Sequence, residues 1–212
     1  MFDYLVNCYN RSPRLITESD LDQGYLYVKY TEAPYLVLPE SLESLKSQHK
    51  RKFWYNLNRS QRLYEAKFGA LHFEIIRDQE NLDYFLDQAF DLFNKRWKGE
   101  YTSAVWKSKD GFRLYKEAMI DLASKGNAFL AVLYDENKML LSYGYCLEQD
   151  NSLYFYQHTT ILEPMYRSFS LGKLLICNLL KFAITEGYEK FDFMAGTSKY
   201  KYEWTKEAQV IY

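Results

Sequence analysis

Apolar residues first recur at helical spacing after Pro39. Leu42, Leu45, His49, Phe53, Leu57 and Tyr64 fall mostly three, four or seven positions apart, which puts them on one face of a helix. Glu40-Ser41 supplies a start, with acid at the positive end of the dipole. Gly69 supplies a stop, so the spacing predicts one long helix over 40–68. A short strand over 70–76 follows. Leu82, Phe85, Leu86, Ala89, Phe90, Phe93 and Trp97 then form a second helical stripe, and Phe112, Tyr115, Ala118, Met119 and Leu122 a third. The stretch KGEYTSAVWKSKDG between them reads as irregular, and Lys125-Gly126 ends the third helix.

The period then changes. Residues 128–134, 139–148 and 152–158 are β-like runs separated by Asp135-Glu136-Asn137 and Gln149-Asp150-Asn151, the pattern of an antiparallel meander. A loop over 159–170, an apolar helix over 171–185 capped by Gly187, a short strand over 190–193 and a last strand over 209–212 complete the chain. Ahead of residue 40, 1–24 show no period, and 25–30 and 35–38 read as short strands separated by TEAP. From Ala70 the order is β-α-α-β-β-β-α-β. That predicts an α/β (α+β) three-layer sandwich with helices on the faces of a mixed, mainly antiparallel sheet, and no linker is visible after residue 39.

Composition adds little to the fold and more to the function. The chain has 212 residues with 27 basic and 28 acidic side chains, a net charge of −1. That balance argues against binding nucleic acid over the whole surface, because such affinity comes mainly from cations on phosphates. The charge is unevenly spread, however. Lys46, Lys50, Arg51, Lys52, Arg59, Arg62 and Lys67 stand against Glu65 alone, a local balance of +6. This segment is either a docking face for phosphates, an anionic substrate or a membrane surface, or a solvated face neutralised by the acids of the first 45 residues. Cys8, Cys146 and Cys177 form no CxxC and have no ligand spacing with His49, His72 or His158, so they read as reduced thiols and no metal is expected. No signal peptide or spanning segment is indicated, and a cytoplasmic protein without an integral membrane segment is expected. P-loop, nucleophile-elbow and HExxH motifs do not occur.

The junction of strand 152–158, loop 159–170 and helix 171–185 is the chemically informative one. A strand that runs into a tight loop and a helix start exposes unpaired backbone N–H groups, which bind phosphate. Small residues Ser168, Ser170 and Gly172 stand where backbone would approach a ligand, flanked by Arg167 and Lys173. Ordinary helix capping by Ser170 accounts for the same string.

The element order together with this R-x-x-S-x-G loop resembles the GNAT acyltransferases. Three segments resemble the CelD-type, FemAB-related branch linked to polysaccharide biosynthesis: LPESLESLKSQHKRKFWYNLNRSQRLYEAKFG, then YRSFSLGKLLICNLLKFAITEGYEKFDFMAG, then SKYKYEW. The likeness spans about Leu38 to Trp204. It implies residues 40–212 as an acyltransferase domain with a leading basic helix (40–68), and 1–39 as an extension or the remnant of a preceding half. Ser170-Leu171-Gly172 stands where relatives carry S-P-G.

The resemblance implies acyl transfer from acyl-CoA (acetyl-CoA or longer) to an amine or hydroxyl of a saccharide or cell-envelope precursor. Backbone around Arg167, Ser168, Ser170, Leu171, Gly172, Lys173 and Leu174 would hold the pyrophosphate. His158, taken to sit at the strand end beside the loop, is the candidate base. Asp192 of FDF is a second candidate, and Tyr200 a candidate acid. Lys201 would hold a phosphate or carboxylate, Trp204 would close the acceptor cleft, and Tyr154, Tyr156 and Tyr166 would line it. Two alternatives stand beside this: a FemAB-like transferase using aminoacyl-tRNA, which the basic helix suits, and a non-catalytic domain paired with a second copy or a missing half.

Overall fold

The structure, a computed structural model, describes residues 31–98 and 108–211. The unpatterned residues 1–24, the strand expected at 25–30, Cys8, residues 99–107 of the irregular stretch and Tyr212 lie outside them. The elements are β1 (Thr31–Val37), α1 (Leu42–Ser47), α2 (Arg51–Phe68), β2 (His72–Ile76), α3 (Gln79–Arg96), α4 (Lys109–Ser124), β3 (Ala128–Tyr134), β4 (Leu140–Gln149), β5 (Ser152–Thr160), a 3₁₀ turn (Pro164–Phe169), α5 (Leu171–Thr185), β6 (Lys190–Asp192), a 3₁₀ turn (Lys201–Glu203) and β7 (Ala208–Ile211). The chain clusters as two compact units: Leu38–Phe191, and residues 31–37 with 192–211.

In the larger unit β2, β3, β4 and β5 pair antiparallel in that order, and Lys190-Phe191 of β6 lie next to β5. β3 and β4 are buried on both faces, as strands covered from both sides must be. Tyr115 of α4 meets Tyr156 of β5 on one face, while Phe182 of α5 meets Phe129 of β3 on the other. The expected sandwich, helices on both faces of a mainly antiparallel sheet, is what the chain forms. At one end of the sheet Arg77 donates to both Glu148 oxygens and to Ala128 O, and the Tyr188 hydroxyl also donates to Glu148.

The stripes hold. Leu82, Phe85, Leu86, Ala89 and Phe93 of α3 are all buried, and each such side chain removed from water is worth about 1.5–3 kcal/mol except the smaller alanine. Asp78 caps α3 by accepting from Asn81 N at 3.0 Å. α4 begins at Lys109, inside the stretch expected to be irregular, because the Ser108 hydroxyl accepts from Gly111 N at 2.9 Å and starts the helix there.

The helix expected over 40–68 is two helices. Ser41 caps α1, Lys50 is extended (φ −60°, ψ 140°), and α2 starts at Arg51. The Trp54 indole donates to Lys46 O at 3.1 Å, joining His49 N, which donates to the same carbonyl at 3.3 Å, and so ties α2 to the end of α1. A 3.6-residue pattern continued across three residues does not reveal such a break.

In the smaller unit β1 pairs β7 antiparallel from Thr31↔Ile211 to Pro34↔Ala208. β1 therefore runs through the TEAP expected to divide two strands. Pro34 is accommodated because it is needed there only as an acceptor: its carbonyl takes Phe193 N at 2.9 Å, as Glu32 O takes Gly196 N at 2.8 Å.

Candidate functional site

β5 extends to Thr160, two residues beyond the expected end, so His158 lies within the strand and not at its terminus. The β4–β5 register shifts between Tyr145 and Cys146: Tyr145 pairs Gln157 and Cys146 pairs Phe155, leaving Tyr156 as the extra residue of a bulge. An extra residue inverts the alternation beyond it. Phe155 and His158, opposite Cys146 and Gly144, consequently share the face that carries α5, and their rings stack at 4.7 Å. Tyr154 and Tyr156 lie on the other face, where Tyr156 meets Tyr145 and its hydroxyl is 3.2 Å from that of Tyr115. Plain alternation would have grouped Tyr154, Tyr156 and His158; the bulge separates the histidine from the tyrosines.

After β5 the chain makes its 3₁₀ turn and reaches Ser170 in the left-handed region (φ 52°, ψ 37°), with no side-chain bond to the helix it precedes. Capping by the Ser170 hydroxyl is therefore not what the loop does. The Ser170 carbonyl takes Lys173 N at 2.9 Å and Leu174 N at 3.1 Å. Of the candidate donors, Leu171 and Gly172 are left at the open helix end, where N–H groups have no intrahelical acceptor. Arg167 turns back and donates to Leu162 O at 3.3 Å, and Ser168 is exposed.

Gly172 has a packing reason as well. A Cβ there would come within 2.9 Å of the Thr160 hydroxyl oxygen, which is itself bonded to Ser142 Oγ at 2.7 Å. The bare backbone lets the first turn of α5 dock on the end of β5.

The loop is braced from behind by α2. Tyr64 and Phe68 surround Tyr166 and Phe169 of the 3₁₀ turn at ring distances of 5.1–6.4 Å, and Lys67 Nζ lies 5.1 Å from the Phe68 ring centre. Burial pushes the fully buried Tyr64 phenol up to about 12. Tyr166, expected to line an acceptor site, is part of this buttress. The sequence pattern puts Tyr64 on the apolar face of this helix but leaves out Phe68 and does not connect that face with the loop, for which Tyr64 and Phe68 at i, i+4 were the available signal. Arg51, Lys52, Arg59 and Arg62 stand exposed on α2.

The remaining candidates belong to the smaller unit. Asp192 is buried and accepts from Met194 N at 2.8 Å. Lys201 is also buried, and its ammonium donates to Met194 O at 2.8 Å and Ala195 O at 2.7 Å. Together they hold a turn in which Met194 has φ 62° and Gly196 φ 109°. Lys201, expected to meet a phosphate or carboxylate, is thus directed at main-chain carbonyls. Burial pushes the Tyr200 phenol above its usual range, and Trp204 is buried.

Burial brings the Lys201 ammonium down to about 8, against the opposing pull of Asp192. The unfolded chain holds this proton up to the ordinary lysine value of 10.5. Above about pH 8 the unfolded state therefore binds more protons here, and this group makes stability rise with pH. Urea unfolding between ~pH 8 and 9.5 is expected to show that rise in the wild type. Lys201→Met should be less stable throughout, through lost charge-assisted bonds, and should lack the rise; an unchanged slope would overturn the assignment.

One feature no sequence pattern indicated is a cleft of about 240 Å³ between the last turn of α3 and the residues after β5, lined by Leu92, Lys95, Arg96, Ile161, Leu162 and Glu163. It borders the loop that leads to α5. Among the described residues no group of His, Cys, Asp and Glu could hold a metal ion, and no helix is long and apolar enough to cross a membrane.

Comparison with solved structures returns the same fold at low identity. FemX superposes with a TM-score of 0.58 at 12% identity, over 87% of this chain and 60% of FemX. The C-terminal domain (DUF2156) of a chain assigned as a lysylphosphatidylglycerol synthetase from Agrobacterium fabrum gives 0.57 at 14%, over 90% and 61%. A conserved protein of unknown function from Bacteroides thetaiotaomicron gives 0.56 at 12%, over 92% and 62%. The chain thus spans about three-fifths of the length of these structures. No curated protein matches it. The family model described as an acetyltransferase (GNAT) domain matches residues 51–202, from the first turn of α2 through the meander and the α5 loop to the Lys201 turn, and the chain belongs to that family.

Proposed function

We propose that this protein is an acyl-CoA-dependent acyltransferase of the CelD-type branch, acting in the cytoplasm on an amine or hydroxyl of a saccharide or cell-envelope precursor. The observation that carries the reading is the open N-terminal end of α5, presented at the end of β5 by a left-handed serine and braced by α2, in a chain of the GNAT family. In this reading the Leu171 and Gly172 N–H groups meet the donor pyrophosphate, with Ser168 and Lys173 beside them. The acceptor's lone pair attacks the thioester carbon, the C–S bond breaks with its electrons on sulfur, and His158 takes the acceptor's proton. A backbone N–H of the bulged β5 meets the oxyanion.

A second reading, aminoacyl-tRNA as donor, is favoured by the exposed cations of α2. Thermal unfolding with CoA, acetyl-CoA and a long-chain acyl-CoA, each at low and high salt, separates the two. A donor at about 100 times its dissociation constant should stabilise the fold by roughly 2.7 kcal/mol, at both salt concentrations. No shift with any of the three, together with salt-sensitive binding of aminoacyl-tRNA, would replace CoA by tRNA. No response to either leaves a non-catalytic domain.

A further inference from the structure

The cleft beside the donor loop has a composition that selects a ligand. Leu92 and Ile161 are buried and form its apolar part with the half-exposed Leu162. Lys95 and Arg96 bring two cations from the final turn of α3, where the helix's partial negative charge also favours them. The Arg96 guanidinium lies 4.2 Å from the Trp97 ring centre, which restricts where it points. Glu163 brings one carboxylate from the opposite wall, immediately before the 3₁₀ turn. The floor is fixed: Ile161 N donates to Leu141 O at 2.8 Å, and Leu162 O is held by Arg167.

A neutral sugar uses none of these charges, and a simple anion or amine uses one sign and faces the other. A molecule with a carboxylate and an ammonium joined by a short apolar span satisfies both walls and covers the leucines and isoleucine. We propose that this cleft binds a zwitterion, an amine that carries a carboxylate, as the acyl acceptor. This rests on the acyltransferase reading for the word acceptor, and narrows it from any amine or hydroxyl to the amino-acid or peptide class. Lys95 and Arg96 take the carboxylate and Glu163 holds the ammonium next to the loop that carries the donor; the ammonium releases one proton to water to become the nucleophilic amine, and the second proton leaves as the acyl group is transferred.

The test is binding without donor, so that its result does not depend on CoA. 6-Aminohexanoate, hexanoate and hexylamine share an apolar span and differ in charged ends; each is titrated by ligand-observed NMR. The zwitterion is expected to bind at least about tenfold more tightly than either singly charged probe, the equivalent of about 1.4 kcal/mol. Lys95→Glu should weaken 6-aminohexanoate and hexanoate, Glu163→Gln should weaken 6-aminohexanoate and hexylamine, and both should melt as the wild type does. Equal affinity for the three probes, or titrations unmoved by both substitutions in folded protein, overturns the proposal. Selective zwitterion binding in a protein that ignores every CoA donor would keep the cleft and discard the acyl-CoA reading.

Discussion

Gly144→Ala is expected to lower the melting temperature by roughly 5–10 °C, the effect of about 2–3 kcal/mol of overpacking in a domain of this size. The reason is local. An added Cβ would sit well inside contact distance of Phe155 Cε2, and the next two ring atoms lie at 3.1 and 3.4 Å. That ring cannot swing aside, because His158 stacks on it and Phe191 packs 5.9 Å from it. Differential scanning calorimetry checks the shift. Phe155→Leu in the same chain should recover part of it, since the cost is one of shape and the two positions are coupled. A Gly144→Ala protein melting within a degree of wild type would show that the bulge does not pin the ring.

Gly172→Glu is expected to remove the stabilisation by CoA altogether. It places a carboxylate at the helix end where the donor's phosphates are proposed to sit, adding like-charge repulsion to a site that works through N–H groups and the helix dipole. The substitution also forces a Cβ against the Thr160 hydroxyl, so the fold itself will lose some stability. Gly172→Ala carries the same steric cost without the charge and is the control. The measured quantity is the CoA-induced shift in each variant against its own unliganded melting temperature: kept in Gly172→Ala and absent in Gly172→Glu. An equal shift in both would take the pyrophosphate away from this loop.

Much of the fold was readable because helices and strands of ordinary length repeat their burial pattern. The α3 stripe and the β3–β4–β5 meander fell where periodicity put them, and the loop before α5 was found from its small residues. What could not be read were events occupying one to three residues. The extra residue at Tyr156 changes which face every later β5 residue takes, and nothing in LYFYQHTT distinguishes a bulged from a regular strand. The break at Gln48–Lys50 is invisible for the same reason, since the apolar period resumes in phase on the far side. Lys201 illustrates a different limit: the resemblance of SKYKYEW implied a phosphate or carboxylate partner, and only the fold shows its ammonium given to two carbonyls. The cleft at Lys95, Arg96 and Glu163 joins residues far apart in the chain with no motif between them.

The pairing of β1 with β7 has a consequence for the order of events during synthesis. Thr31 meets Ile211, so the first described strand emerges from the ribosome long before its partner is made. Closing a loop of the intervening length from a free chain costs on the order of 4–5 kcal/mol of entropy. The larger unit removes most of that cost once it has folded, because Leu38 N bonds Glu189 O at 2.8 Å and brings its own entry and exit together. Folding is thereby expected to be sequential: the helices and meander assemble from near neighbours in sequence, and β1, the earliest of the described strands to be translated, is expected to be among the last of them to find its place.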